Sequence, residues 1–450
     1  MLAGMVQKPE GNDPRVDPVQ SEKRWNYVAD QMLANDFVAP AERAAMRIPP
    51  TRERFAWRGE EMSGPLYHIR EAVLEELERA GYSTHELHRA GNTIVTNIDR
   101  EGQRAAEDAV AGMSREQPQN LRSALVAIDP ATGAIRAYHS GDKQIGGFDW
   151  AQAAQPPGAA MQPFVAAAGL AQGYGLGEVY NGASPQEIQG ATYRNSGPGC
   201  VDPCTVRAAM AESVETAFVN MTAEFGPDAV LEAARGAGMT IDGGKRPGLA
   251  VGTGDHPVST LDVARGYATL AADGMVRTPH FVQKVMDSNG NEVQRFGSGS
   301  TSAFSEDGRT NRQIARNVTE SLLRAAQESG IAPGKRPVAV KSGIAQFGGS
   351  PDKALAAWTA GYAPQIAAAV SISANDEQGR PQPVLQDGGA AASELLPSRV
   401  WDRFMQAYLQ GEAVETFPAA DPVGRYADPI LSLPPVATSY APRAPTLEDR

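Results

Sequence analysis

Hydrophobic positions along the chain change period several times, and each change predicts an element. From Ser21 to Asn35, Trp25, Val28, Met32 and Leu33 fall at helical spacing. A short helix is predicted over 41–46, ended by Pro49-Pro50. Tyr67 to Ala80 carries Ile69, Val73, Leu74 and Leu77 on one face, Glu and Arg on the other, and Gly81 as its stop. Thr93 to Ile98 alternates like a strand, and Asp99 can cap the helix that follows.

The texture changes at Leu121. Ser123–Ile128 and Ala134–Tyr138 read as strands joined by the turn Asp129-Pro130-Ala131-Thr132-Gly133. Residues 159–275 are Ala-rich and mostly helical. Pro163, tolerated only in a first turn, sets a helix start near Ala159. Val282–Gln294 reads as a hairpin around Ser288-Asn289-Gly290, and 297–307 is polar and low in complexity. A helix over Asn311–Gly330 precedes strands at Val338–Lys341, Ala356–Tyr362 and Ile366–Ser373, and a last helix over Pro397–Leu409. Trp358 and Tyr362 alternate on their strand and read as core or sheet-face residues. From Pro418 the chain is Pro-rich and reads as a disordered tail. The order predicts an α+β domain: helices on an antiparallel sheet whose strands come from both ends of the segment.

Composition narrows the function classes. The 450 residues correspond to roughly three domains by length alone. A 42% hydrophobic content suffices for a sizeable core. The net charge of −12 argues against nucleic acid or an anionic membrane as main partner. No apolar run approaches the length of a membrane-spanning helix. Met1–Pro18 lacks the basic start and apolar core of a signal peptide. Cys200 and Cys204 lie in a Gly/Pro-rich stretch, NSGPGCVDPCT. With two cysteines and no nearby His pair, zinc is a poor fit; a small disulfide loop and two separate thiols both remain open.

Among the six histidines, His85 and His88 stand at i, i+3 with no third ligand, which reads as a solvated helix face. Gly252-Thr253-Gly254 lacks the strand–loop–helix setting of a nucleotide fingerprint. No cofactor and no metal are expected.

Three stretches matter as a set. The first is Pro156-Pro157-Gly158-Ala159-Ala160-Met161-Gln162-Pro163-Phe164. The second contains Ser213-Val214-Glu215, and the third is Val340-Lys341-Ser342-Gly343-Ile344. Together they resemble the S-x-x-K, S-x-N and K-T-G motifs of the transpeptidase part of a class A penicillin-binding protein, most like the actinobacterial type. Flanking phrases add to the resemblance: Leu125–Gly133, Gly266–Gly274 and Ala357–Tyr362. Leu2–Pro9 and Asp13-Pro14-Arg15 resemble the very end of that family's glycosyltransferase domain.

The departures fall on the chemistry. The family's acylated serine corresponds to Ala159, and its base lysine, one helical turn on, to Gln162. No serine lies between Gly158 and Phe164. Loss of the nucleophile in a serine hydrolase costs roughly a millionfold in turnover. Ser213 is retained, whereas Glu215 replaces the family's amide. Lys341, Ser342 and Gly343 keep the third motif, but Ile344 stands where a second hydroxyl usually helps hold the substrate carboxylate. A buried lysine is costly alone, which favours pairing of Lys341 with Glu215.

The resemblance implies the penicillin-binding protein/serine β-lactamase-like fold, an antiparallel sheet with a helical subdomain. It implies four segments: 1–20, a remnant of a glycosyltransferase end; 21–120, a helical/strand linker; 121–417, the transpeptidase-like domain; and 418–450, the tail. In the family a glycosyltransferase half and a membrane helix lie upstream of this segment, and a third possibility is a gene remnant in which Met1 falls inside a longer reading frame. The expected function is a catalytically inactive binding or scaffolding module of peptidoglycan assembly, located outside the membrane. Its expected partners are stem peptide or cell-wall synthesis proteins, with weak non-covalent β-lactam binding. The alternative is an active D,D-transpeptidase or carboxypeptidase using a non-standard nucleophile, for which Ser213 is the motif candidate.

Overall fold

Strands buried on both faces organise most of the chain. The computed structural model describes residues 2–6, 8, 11–48, 64–114, 120–141, 147–197, 199–200, 204–244, 246–252, 256–297, 299–348, 350–376, 378–384 and 389–425. The chain folds as two units, Met1–Met62 and Ser63–Arg450, so the stretch expected as a linker over 21–120 falls in both.

The first unit holds α1 (Leu2–Met5), α2 (Pro18–Ala34) and α3 (Pro40–Ala45). The Asp17 carboxylate accepts the Gln20 N–H at 2.9 Å, and Pro18 occupies the first turn of α2, so both start signals act together. Arg43 of α3 donates to Asp30 and Asn26 of α2 and lies 5.6 Å from the Trp25 ring centroid.

The second unit begins with α4 (Pro65–Arg79), α5 (Thr84–Ala90), β1 (Thr93–Thr96), α6 (Arg100–Ser114), β2 (Leu121–Ile128) and β3 (Ile135–His139). Asp99 caps α6 through the Gly102 N–H at 2.7 Å, and His85 and His88 are exposed on α5. A 3-10 turn over Gly158–Met161 runs into α7 (Gln162–Ala171). Then come β4 (Gln186–Ile188), β5 (Ala191–Tyr193), α8 (Val206–Ala211), α9 (Glu215–Phe225), α10 (Pro227–Gly236) and α11 (Thr260–Ala271). Next are β6 (Met275–Arg277), β7 (Val282–Met286), β8 (Glu292–Arg295), β9 (Ser300–Ser302) and α12 (Gly308–Ser329). The unit closes with β10 (Ala339–Phe347), β11 (Ser350–Ala363), β12 (Ile366–Asn375), β13 (Pro381–Gln382) and α13 (Gly389–Tyr408).

The main sheet is antiparallel, ordered β10-β11-β12-β2-β3, with β13 paired to the end of β12. Alternate residues serve two cores. Ala124, Val126 and Ile128 of β2, with Ala367 and Ala369 of β12, pack against the helical block. Leu125, Ala127, Ala368, Val370 and Ile372 pack against α6 and α13. Two buried faces explain why these strands read as nearly continuous apolar runs. A smaller sheet, β1-β7-β8, sits beside α4, whose Glu76 carboxylate accepts the N–H groups of Phe281 and Val282.

Several boundaries differ from the sequence reading. The strand predicted to end at Lys341 continues to Phe347, because pairing with β11 persists past the motif. The last helix begins at Gly389, not Pro397, so this proline sits inside the helix. The polar stretch 297–307 contains β9, which pairs with β6 while fully exposed and so leaves no alternation to read. The tail predicted from Pro418 is ordered through Arg425. Asp421 accepts from and donates to Gln313, and Arg425 N–H donates to Gly173 O at 2.8 Å. Arg425 also pairs with Glu178 and lies over the Tyr174 ring. Residues 426–450 lie outside the described residues. Among the described residues no helix is long and apolar enough to cross a membrane.

Trp401 of α13 is fully buried, and its Nε1 donates to Ala368 O of β12 at 3.0 Å. Trp401→Ala is expected to lower the stability of this unit by about 3–5 kcal/mol, read from chemical denaturation by circular dichroism. A loss below about 1 kcal/mol would mean that α13 does not depend on this anchor.

Candidate active-site cleft

The cleft is built where the 3-10 turn meets the edge strand β10. Gly158 lies in the left-handed region at φ 57°, and a Cβ on it would stand 2.5 Å from Ile344 O. On the facing strand, a Cβ on Gly343 would stand 2.6 Å from Ala160 N and 2.7 Å from Ala159 N. Turn and strand therefore touch backbone to backbone, and only glycine fits at either position. Three further bonds hold the turn. Tyr267 OH donates to Ala160 O at 3.0 Å, Trp358 Nε1 to Pro156 O at 2.8 Å, and Gly158 N–H to Gly252 O at 3.3 Å. Trp358 is the register partner of Gly343, so the residue read simply as core or sheet face also anchors the turn.

On β10, Ala339 and Ala345 face the helical block while Val340 and Ile344 contact the core under α13. Lys341 shares the first face by its i, i+2 spacing. It is 2% exposed; its Nζ donates to Ser213 Oγ and, at 2.8 Å, to the Ser342 carbonyl. Ser213 comes from the junction of α8 and α9. Its φ of 54° is unusual for a non-glycine residue and costs on the order of 1–3 kcal/mol. The Val214 N–H donates to Ala209 O at 2.9 Å and closes the end of α8 around it.

The expected ion pair between Lys341 and Glu215 is not made. The Glu215 carboxylate accepts the Ser196 Oγ–H at 2.7 Å and the Ser196 N–H at 3.1 Å. Burial raises its pKa above the usual carboxylate value; the Ser196 bonds, its own N–H and the Lys341 charge act in the opposite sense. Lys341 thus acts on Glu215 through space, and the buried ammonium is solvated by a hydroxyl and a carbonyl. Ile344, expected at a carboxylate-binding position, packs partly into the core under α13.

Ala159, expected at the acylated position, is 6% exposed and carries a methyl group with no hydroxyl. Gln162 is fully buried, and neither its amide oxygen nor its nitrogen finds a hydrogen-bond partner among the described residues. The fold thus joins Ala159 and Gly343 by backbone contact, and Ser213, Lys341 and Ser342 by hydrogen bonds. Glu215 turns away to Ser196.

Sequence reasoning missed Tyr267, Asn195 and Ser196. Asn195 Oδ1 accepts the Thr216 N–H at 2.9 Å, and its Nδ2 donates to Gly182 O at 2.8 Å. Tyr267 was visible only as an aromatic within the Gly266–Gly274 phrase. Nothing in the polar run at 195–197 pointed to the cleft. Cys200 and Cys204 form a disulfide, and Gly182 packs so closely on it that a Cβ would lie 2.8 Å from Cys204 Sγ. Thr253 and Gly254 lie outside the described residues.

Two outcomes follow from the polar groups. Gln162→Met removes an unpartnered buried amide and is expected to raise stability by about 1–2 kcal/mol in urea denaturation. A loss instead would show that the amide is engaged. For Glu215, a raised folded-state pKa means stability that is full below the unfolded value and lost as pH rises through the folded one. The stability of Glu215→Gln relative to the native chain should therefore increase between about pH 4 and pH 7. A flat or opposite trend in paired thermal melts would refute that sign.

Known proteins share this arrangement of elements. The family described as penicillin binding protein transpeptidase domain matches residues 123–397. Penicillin-binding protein 1A of Mycobacterium tuberculosis is 35% identical over 446 residues, covering 95% of this chain and 53% of that protein. Penicillin-binding protein 1A of Mycolicibacterium smegmatis is likewise 35% identical over 446 residues, covering 95% of this chain and 56% of that protein. The chain thus spans about half the length of these curated relatives. The solved structure of PonA1 from Mycobacterium tuberculosis in complex with penicillin V is 34% identical, with a TM-score of 0.72, covering 83% of this chain and all of that one. The α+β architecture is that of the penicillin-binding transpeptidase fold, and the chain belongs to the penicillin-binding protein transpeptidase domain family.

Proposed function

We propose that this chain is a transpeptidase-type domain of peptidoglycan assembly that has lost acyl transfer and acts as a binding or scaffolding module. Its working part is the segment from about 121 to 417. The observation that carries this reading is Ala159, held beside β10 with no hydroxyl to acylate, followed by a neutral Gln162. Alanine has no lone pair to attack a carbonyl, and a glutamine amide takes no proton at neutral pH. What remains suits recognition without reaction. A buried ammonium next to a serine hydroxyl on an edge strand matches the carboxylate of a stem peptide or of a β-lactam. The Cys200–Cys204 disulfide fits an oxidising compartment outside the membrane.

A second reading rests on one contact. Ser213 is half-buried and its Oγ touches Lys341 Nζ, the composition of a Ser–Lys pair. By the family resemblance Ser213 stands at the second motif and not at the acylated position, so the binding reading is preferred. Hydrolysis of a D-Ala-D-Ala peptide that disappears in Ser213→Ala would reverse the preference.

Fluorescent penicillin is the direct test. The native chain is expected to give no label that survives denaturation. Ala159→Ser with Gln162→Lys is expected to restore weak labelling, held below that of an ordinary family member by Glu215 and Ile344. Denaturation-resistant labelling of the native chain would overturn the proposal.

A further inference from the structure

Glu215 stands where the family's second motif ends, yet its side chain serves a different segment. Both carboxylate oxygens are taken by Ser196, one by the hydroxyl and one by the N–H. The adjacent residues repeat the link: Asn195 Oδ1 accepts the Thr216 N–H, and Asn195 Nδ2 reaches back to Gly182 O. The start of α9 and the Asn195–Ser196 segment are thereby fastened by a two-residue ladder. Two residues before Glu215, Ser213 holds the Lys341 ammonium. We infer that Glu215 is a positioning residue that gates anionic ligands. Ionised, it fastens Ser196 to α9 and offsets the charge of Lys341; protonated or replaced, it loosens the segment and leaves the lysine's charge for a carboxylate.

The chemistry supports both halves. A carboxylate accepting two hydrogen bonds holds them more strongly than a neutral group does. Protonation turns one acceptor oxygen into a donor, so one of the two bonds to Ser196 is weakened. Among the described groups, Lys341 on β10 carries a charge that acts on Glu215. The Ser196 segment contributes a hydroxyl and an N–H, and α9 contributes the residue's own N–H. Burial biases this carboxylate toward the proton, so the change falls on the upper side of the ordinary carboxylate range. The inference rests on the binding reading for its ligand, but the fastening of Ser196 can be measured without any ligand.

The test uses the full chain in native, Glu215→Ala, Glu215→Gln and Ser196→Ala forms. Hydrogen exchange over the peptide containing Ser196 and Thr216 reads the fastening. Glu215→Ala and Ser196→Ala are expected to speed exchange there about tenfold at pH 7, with distant segments such as β12 unchanged. Binding of an Nα,Nε-diacetyl-Lys-D-Ala-D-Ala peptide, followed by calorimetry from pH 4 to pH 8, reads the gate. The native chain is expected to bind more tightly as pH falls. Glu215→Gln is expected to bind roughly five- to tenfold tighter than native at pH 7 and equally at pH 4. Unchanged exchange in both the Ala variants overturns the fastening. Equal peptide affinity of native and Glu215→Gln at pH 7 overturns the gate. Changed exchange with no peptide bound by any form at any pH also overturns the gate, and with it the stem-peptide reading, while the fastening stands.

Discussion

The contact between the Gly158 turn and the Gly343 strand is the constraint on which the cleft depends. Two chains of backbone meet with no side chain between them, and a methyl group at either glycine would stand within 2.7 Å of the facing backbone, closer than a real Cβ contact allows. Tyr267 and Trp358 then fix the turn by donating to its carbonyl oxygens. None of these groups is a reactive one. The shape of the cleft is therefore carried by two glycines and two aromatic donors, and it persists whether position 159 bears a hydroxyl or a methyl. The geometry of the cleft and the chemistry of position 159 are held by different residues.

The same separation explains why Ser213 and Lys341 remain. A buried ammonium without partners carries a desolvation cost of several kcal/mol. Here Ser213 Oγ and the Ser342 carbonyl take the place of water around it. Ser213 holds an unfavourable left-handed backbone to do so. Replacing either member alone would leave the other in an environment built for the pair. Their retention is thus a matter of solvating a charge and needs no surviving catalysis to account for it.

Much of the fold was legible. Strands with two buried faces wrote themselves as apolar runs, and the Asp99 cap and the Gly290 turn declared themselves by residue type. Ser213, Lys341 and Gly343 were singled out by motif spacing, and the fold bonds Lys341 to Ser213 and sets Gly343 against the Gly158 turn. The misses share a cause. β9 is fully exposed and pairs through backbone alone, so no side-chain pattern marks it. Pro397 imitates a helix start, although the helix begins at Gly389. Residues 418–425 dock through Gln313, Asn317 and Glu178, all distant in sequence. The pairing of Lys341 with Glu215 was argued from charge alone, and a closer neutral partner, Ser196, took the carboxylate.

That last miss bears on what the cleft attracts. Against the S-x-x-K and S-x-N patterns, Gln162 removes one positive charge and Glu215 adds one negative charge. Lys341 is left as the buried cation of the site, with Glu215 near enough to draw on its field. An anionic ligand approaching such a cleft meets far less steering than one approaching two uncompensated cations. Such a change in charge acts over a longer range than a hydrogen bond, because Coulomb attraction falls off only slowly with distance. The substitutions therefore act in one direction. Under the proposed reading, Ala159 removes the reaction, Gln162 and Glu215 lower the cleft's attraction for the negatively charged end of a peptide, and the bonds from Glu215 to Ser196 tie that attraction to the order of a neighbouring segment.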